Sequence, residues 1–237
     1  MDTGEYGEAR ARVPAQIAVP MMEVAEQLEA FPFLDYAYGY SLNNYYLEDP
    51  SAPPDIDSLR AIRQFHGSKE EEGFILVHTA IEQLSPELLR CQQAIITAAH
   101  EKNRDQLCEA LDAHADCMEK VYEIFCTMWR RSKPKAYLEF RTFIMGMTGN
   151  AKIFPHGHVL YEGRDGTDSV HAYRGETGAQ DSLIPSCDNL LQISYPLNQL
   201  TKYLFELRQY RPHDHQAYLD WVQQASLAYE VKQQALQ

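Results

Sequence analysis

A histidine on the apolar side of a helix is the first residue of this chain whose type and position could do chemistry. The segment Gly73-Phe74-Ile75-Leu76-Val77-His78-Thr79-Ala80-Ile81-Glu82 follows Ser68-x-x-Glu71, a capping-box pattern. It sets Phe74, His78 and Ile81 at i, i+4 and i+7, so His78 faces whatever the helix packs against. An imidazole so placed either donates to a carbonyl inside a core or serves a site. The second candidate is Arg141, on an otherwise apolar helical face beside Phe140 and Phe143. A guanidinium fork there can hold a carboxylate through two bonds; the plainer alternatives are solvent or the nearby Glu139. The third is the run Arg174-Gly175-Glu176-Thr177-Gly178-Ala179-Gln180-Asp181-Ser182, whose small residues let backbone N–H groups approach a ligand closely.

The elements that must position these groups read as helices, and the fold class expected is all-α. Apolar residues at helical spacing run from Pro20 to Phe31 and stop at Pro32; Tyr36, Tyr38, Tyr40, Tyr45 and Tyr46 then form an aromatic segment compatible with helix or strand. Asp49-Pro50-Ser51-Ala52-Pro53-Pro54 is a break. Ser85-Pro86-Glu87 places a cap before a proline and predicts a helix to about His100. Residues 103 to 131 form the longest predicted helix, with Leu107, Leu111, Met118, Val121, Tyr122, Phe125 and Met128 as an apolar stripe read as core. A helix over 135 to 147 carries Arg141. A long loop at about 148–178 follows, with a short hairpin near Val159-Leu160-Tyr161, and helices resume at 180–194, 197–209 and 213–235. The expected organisation is an N-terminal segment, 1–55, packing on a helical domain, 56–237.

Composition narrows the partners. A net charge of -13 and a pI near 5.1 argue against nucleic acid and anionic membranes, both of which need clustered Lys and Arg. The five cysteines, Cys91, Cys108, Cys117, Cys126 and Cys187, are odd in number and form no CxxC pair, which reads as reduced thiols rather than a disulfide framework or zinc site. No apolar run approaches the roughly 18 residues of a membrane span, and the start is acidic where a signal peptide would be basic. The expected compartment is the cytoplasm.

Several pieces in a fixed order resemble the indoleamine 2,3-dioxygenase family. They are Val13-Pro14-Ala15-Gln16-Ile17-Ala18-Val19-Pro20, Leu34-Asp35-Tyr36-Ala37-Tyr38, Asn43-Asn44-Tyr45, the His78 helix, Phe140-Arg141-Thr142-Phe143-Ile144-Met145-Gly146-Met147, Pro155-His156-Gly157-His158-Val159-Leu160-Tyr161-Glu162-Gly163, the Gly175 loop, and Leu207-Arg208-Gln209-Tyr210-Arg211-Pro212-His213-Asp214-His215. The wording of the Ile144-to-Asn150 and Arg174-to-Gln180 segments looks most like the fungal branch. The resemblance implies a haem b (iron) enzyme that uses molecular oxygen to cleave the indole 2,3-bond of L-tryptophan or a related indoleamine, giving N-formylkynurenine. His78 would occupy the distal side of the haem, and Arg141 would pair with the substrate carboxylate. Phe74, Tyr36, Phe140 and Phe143 would wall the indole. Gly175, Thr177, Gly178 and Ala179 would lie against the haem edge and the substrate, with Thr177 the side chain closest to substrate or propionate, and Asp188 would support the proximal side.

One departure stands out. The family's iron-ligating histidine lies on a helix downstream of the segment matching His213-Asp214-His215, so the metal ligand is unknown here. Either the chain is part of a longer enzyme, or iron is held differently, or no haem is held. A haem- or oxygen-binding protein without catalysis and a non-enzymatic helical module are the alternatives, and colour with or without tryptophan turnover separates them.

Overall fold

The computed structural model describes residues 9–175, 177–178 and 181–237; Ala179, expected at the haem edge, lies outside the described residues, as do Glu176 and Gln180. The chain opens with strand β1 (Arg12–Val13) and helix α1 (Ala15–Gln27). Pro20, expected at the start of that helix, sits inside it; Pro14 precedes the first turn, where a missing N–H costs nothing. A π-helical turn spans Tyr36–Ser41, with the Asp35 carboxylate accepting from the Tyr38 N–H at 2.7 Å. Antiparallel strands β2 (Tyr45–Leu47) and β3 (Leu59–Ala61) flank the proline-rich break.

Helix α2 (Lys69–Glu82) leads into α3 (Ser85–Glu101) and α4 (Arg104–Cys126). The helix expected to continue to 131 is interrupted at Thr127, whose hydroxyl donates to the Ile124 carbonyl at 2.7 Å, and a short α5 (Met128–Arg131) follows. That turn brings the Arg131 backbone onto Gly73, where an added Cβ would stand 2.2 Å from the Arg131 carbonyl oxygen. Helix α6 (Pro134–Ile144) ends three residues before the expected 147 because Gly146 takes φ +70 and bridges to Arg174.

The expected hairpin is present in the long connection: β4 (Val159–Tyr161) pairs antiparallel with β5 (Ser169–His171), and β1 joins β4 in parallel. Helices α7 (Leu183–Leu190), α8 (Gln199–Leu207), α9 (His213–Ala228) and α10 (Val231–Ala235) complete the chain. Residues Gln192 and Glu230, at φ +52, stop α7 short of 194 and split the expected 213–235 helix in two.

Helix α2 is buried on opposite sides, which places it at the centre. Val77 and Ile81 pack with Leu88, Cys117, Val121 and Leu183; Ile75 packs with Tyr36, Tyr40 and Ile144. A separate cluster of Ile95, Leu107, Leu190 and Val222 joins α3, α4, α7 and α9.

Candidate functional site

The start of α2 is held by buried polar groups. Ser68 caps it by accepting from the Glu71 N–H at 3.2 Å. The fully buried Glu71 carboxylate accepts the N–H groups of Phe65, His66 and Gly67 at 2.7, 2.7 and 2.9 Å. The preceding loop and the first turn are therefore one unit, and His78, reached through Phe74, inherits its position from it.

His78 Nδ1 lies 2.8 Å from the Phe74 carbonyl oxygen. A carbonyl only accepts, so Nδ1 carries the proton and Nε2 presents a lone pair. Burial lowers the imidazole pKa, keeping the ring neutral. Aromatic rings frame it: Phe74 at 4.5 Å between centroids and Tyr36 edge-on at 6.0 Å. The π-helical turn is what sends Tyr36 and Tyr40 inward against α2.

Nε2 faces the loop before α7. A Cβ built on Gly178 would stand 2.9 Å from Nε2, so a hydrogen at this position is what permits loop and imidazole to meet. Around this contact is a cavity of about 320 Å³ bounded by Ile81 and Glu82 of α2, Met118, Val121 and Phe125 of α4, and Asp181 and Ile184. A second cavity, of about 280 Å³, shares Gly178 and Ile184 and continues to Asp188, Tyr195, Phe205, Arg208 and Arg211. Together they offer apolar walls, one neutral imidazole, the acids Glu82, Asp181 and Asp188, and two guanidinium groups. Such a lining suits a flat, mostly apolar ligand bearing carboxylates at one edge.

The other residues singled out from the sequence divide into groups. Tyr36, Phe74, His78 and Gly178 meet at one place. Phe140 is fully buried and joins them through Phe74, at 5.6 Å between centroids. Phe143 turns instead to Phe65, stacked at 5.8 Å. Arg141 is half-buried with its guanidinium 5.8 Å from the Tyr137 ring centroid, and it is not among the residues bounding the His78 cavity. Thr177 is half-buried beside Gly178.

Gly175 has a packing reason of its own: an added Cβ would stand 2.1 Å from the Ile144 carbonyl oxygen, so it closes the loop onto the end of α6. Asp188 bounds the second cavity and accepts from the Tyr195 hydroxyl at 3.0 Å; burial raises its pKa against the lowering effect of that hydrogen bond and of Arg208. Among the described residues, no group of three or more His, Cys, Asp or Glu side chains could hold a metal ion by itself. His215 lies 3.0 Å from the Ser182 hydroxyl through Nδ1 and bounds a different cavity.

Three features escaped the sequence reading. Met118, Val121, Tyr122 and Phe125, read as core, bound the His78 cavity, and Tyr122 and Phe125 are exposed at its mouth. Glu82, four residues from His78, shares its helical face, a spacing that could have flagged it. Asp181 reaches the same cavity and, through its carboxylate, caps α7 by accepting from the Leu183 N–H at 2.8 Å.

The described helices include none long and apolar enough to cross a membrane. Comparison with known proteins matches the indoleamine 2,3-dioxygenase family model to residues 3–236. Similar proteins include indoleamine 2,3-dioxygenase 1 of Rattus norvegicus, 29% identical over 221 residues, covering 92% of this chain and 53% of the relative. Indoleamine 2,3-dioxygenase acdA of Aspergillus candidus is 29% identical over 234 residues, covering 92% and 56%. The 6-hydroxytryptophan 2,3-dioxygenase fscD of Fusarium equiseti is 29% identical over 211 residues, covering 88% and 50%. The chain spans about half the length of the curated relatives it matches. With the family model covering nearly every residue, and with the His78 helix, the Arg141 helix and the Gly175 loop in their order, this chain belongs to the indoleamine 2,3-dioxygenase family.

Proposed function

We propose that this chain forms the distal part of a haem site that oxidatively cleaves the indole 2,3-bond of L-tryptophan or a related indoleamine. The observation that carries the reading is the neutral His78 imidazole, with Nε2 turned to an apolar cavity at a glycine of the family loop. Haem fits the residues present: Met118, Val121 and Ile184 offer apolar burial, and Arg208 offers a cationic partner for a propionate across the shared Gly178–Ile184 wall. When bound, haem iron supplies the activation of molecular oxygen.

What the protein contributes is positioning. His78 Nε2 can accept the indole N–H, which orients the ring without itself taking up the proton, because burial disfavours the imidazolium that a transfer would form. Tyr36 and Phe74 restrict the ring plane. Arg141 is the carboxylate partner, which requires its guanidinium to leave the Tyr137 face and turn toward the ligand; Thr177 and Gly178 close over the substrate. The Gly175 contact with α6 couples the loop to the helix that carries Arg141. The cytoplasm is the compartment that fits free thiols at Cys91, Cys108, Cys117, Cys126 and Cys187.

Haem titration under reducing conditions, followed by the Soret band and N-formylkynurenine formation, tests the reading. A specific Soret band should appear with the chain, and His78→Ala should shift that spectrum without abolishing haem binding. In a turnover-competent preparation Arg141→Ala should lower kcat/KM for tryptophan by about tenfold or more, the value of one charge-assisted carboxylate contact. A chain that stays colourless with excess haem overturns the proposal, as does an unchanged kcat/KM in the arginine variant.

A further inference from the structure

Between α4 and α7 three donor atoms meet that the proposed reaction does not use. Cys187 Sγ of α7 lies 3.5 Å from His114 Nε2 and 3.6 Å from Met118 Sδ, both of α4. His114 and Met118 stand at i and i+4, so they share the helical face that Cys187 meets. Cys187 and His114 are both buried, and Cys187 packs with Leu88, Val121 and Leu183. From α3 the buried Gln92 adds a fourth contact: its Nε2 donates to Cys187 Sγ at 3.5 Å and to Ser186 Oγ at 2.8 Å.

A buried thiol hydrogen-bonded within a core is ordinary. This one has two acceptors around a single hydrogen. Met118 Sδ can only accept, and burial lowers the His114 pKa, keeping that ring neutral. With the ring proton on Nδ1, His114 Nε2 and Met118 Sδ both present lone pairs to a sulfur that can donate to one of them at a time. A cation in place of the thiol hydrogen would take the thiolate, the ring nitrogen and the thioether together. Donors bound to one ion at about 2.3 Å through sulfur and about 2.0 Å through nitrogen, with bond angles near about 110°, lie about 3.5–3.8 Å apart, which is the spacing found here.

We propose that Cys187, His114 and Met118 form a binding site for one soft monovalent cation of the copper(I) class. Thiolate and thioether sulfur select soft ions, and a thioether is a poor partner for zinc or magnesium. Charge selects the same class. One thiolate and two neutral donors make a monovalent ion neutral overall, whereas a divalent ion would leave a positive charge among Leu88, Val121 and Leu183. Binding exchanges the thiol proton for the ion: thiol and copper(I) give a copper thiolate, the proton leaves to solvent, and no oxidation state changes. The Gln92 amide remains as donor to the bound sulfur, the kind of outer contact that orients a ligand. Met118 also bounds the His78 cavity, so the site lies one side chain from open space. The inference stands apart from the haem reading.

The test is anaerobic titration of the 237-residue chain with copper(I) in competition with bicinchoninate, followed by copper-edge X-ray absorption at one equivalent. Cys108 and Cys126 are exposed and can also take copper, so the copper held is read as a difference between variants. Cys187→Ser should hold one equivalent fewer than wild type. Met118→Leu, which keeps the side-chain volume, should weaken that equivalent about tenfold or more and remove one sulfur neighbour from the spectrum while the nitrogen stays. Zinc(II) in excess should not displace the copper. A merely structural thiol would lower the denaturation midpoint of Cys187→Ser without changing the copper held. Circular dichroism reports whether the helices persist, and if Cys187→Ser does not fold, Met118→Leu decides alone. Equal copper in wild type and folded Cys187→Ser, an unchanged set of copper neighbours in Met118→Leu, or displacement by zinc(II) overturns the inference.

Discussion

Gly178→Ala is the perturbation that most directly examines how His78 is held. The new Cβ would stand 2.9 Å from Nε2 and 3.3 Å from Cδ2, whereas ordinary contact begins at 3.4 Å. The imidazole must therefore retreat by about 0.5 Å, against a hydrogen bond of 2.8 Å at its other nitrogen and the Phe74 ring at 4.5 Å. Overpacking of this kind costs about 1–3 kcal/mol, and loss of the stretched hydrogen bond about 1 kcal/mol. The reduced freedom of the unfolded chain returns about 0.4–1 kcal/mol. A net destabilisation of about 1–3 kcal/mol follows. His78→Ser removes the obstructing ring, so the alanine should cost far less in that background. The assay is a double-mutant cycle by urea denaturation with four proteins, supported by ¹⁵N spectra of the imidazole to read its tautomer. A coupling below about 0.5 kcal/mol, with an unchanged Nδ1-protonated ring in the alanine variant, would refute the contact.

Two further outcomes follow from buried carboxylates. The folded state keeps Glu82, buried beside Asp181, protonated above the ordinary value of 4.5 while the unfolded chain releases that proton, so Glu82 costs stability increasingly as pH rises above that value. Glu82→Gln should be indistinguishable from wild type in thermal stability near pH 4 and progressively more stable toward neutrality, by at most about 1.4 kcal/mol per pH unit; a constant difference across pH would count against the retained proton. Glu71→Ala leaves the N–H groups of Phe65, His66 and Gly67 without their acceptor and should lower unfolding free energy by about 3 kcal/mol or more, read from denaturation midpoints. A loss under about 1 kcal/mol would mean that water replaces the carboxylate at no great cost.

Charge, thiol usage and the order of motifs belong to the sequence alone, and so do most of the helices. The Ser68 cap and the Phe74–His78–Ile81 spacing were legible because caps and periodicity depend on residues within a turn or two of one another. The same locality explains the misplaced boundaries. The end of α6 depends on Gly146 meeting Arg174, and the break at Thr127 accompanies the packing of Arg131 on Gly73; neither contact is written in the neighbouring residues. Only the tertiary structure decided that Met118 and Val121 bound a cavity as well as a core, that Phe140 and Phe143 face different partners, and that Arg141 lies against Tyr137 rather than in the His78 cavity. It also decided that Glu82 and Asp181 share that cavity. Each carboxylate alone reads as a solvated helix residue or an ordinary cap. Their joint chemistry exists because packing of α2 against α7 removes the water that would otherwise keep both charged.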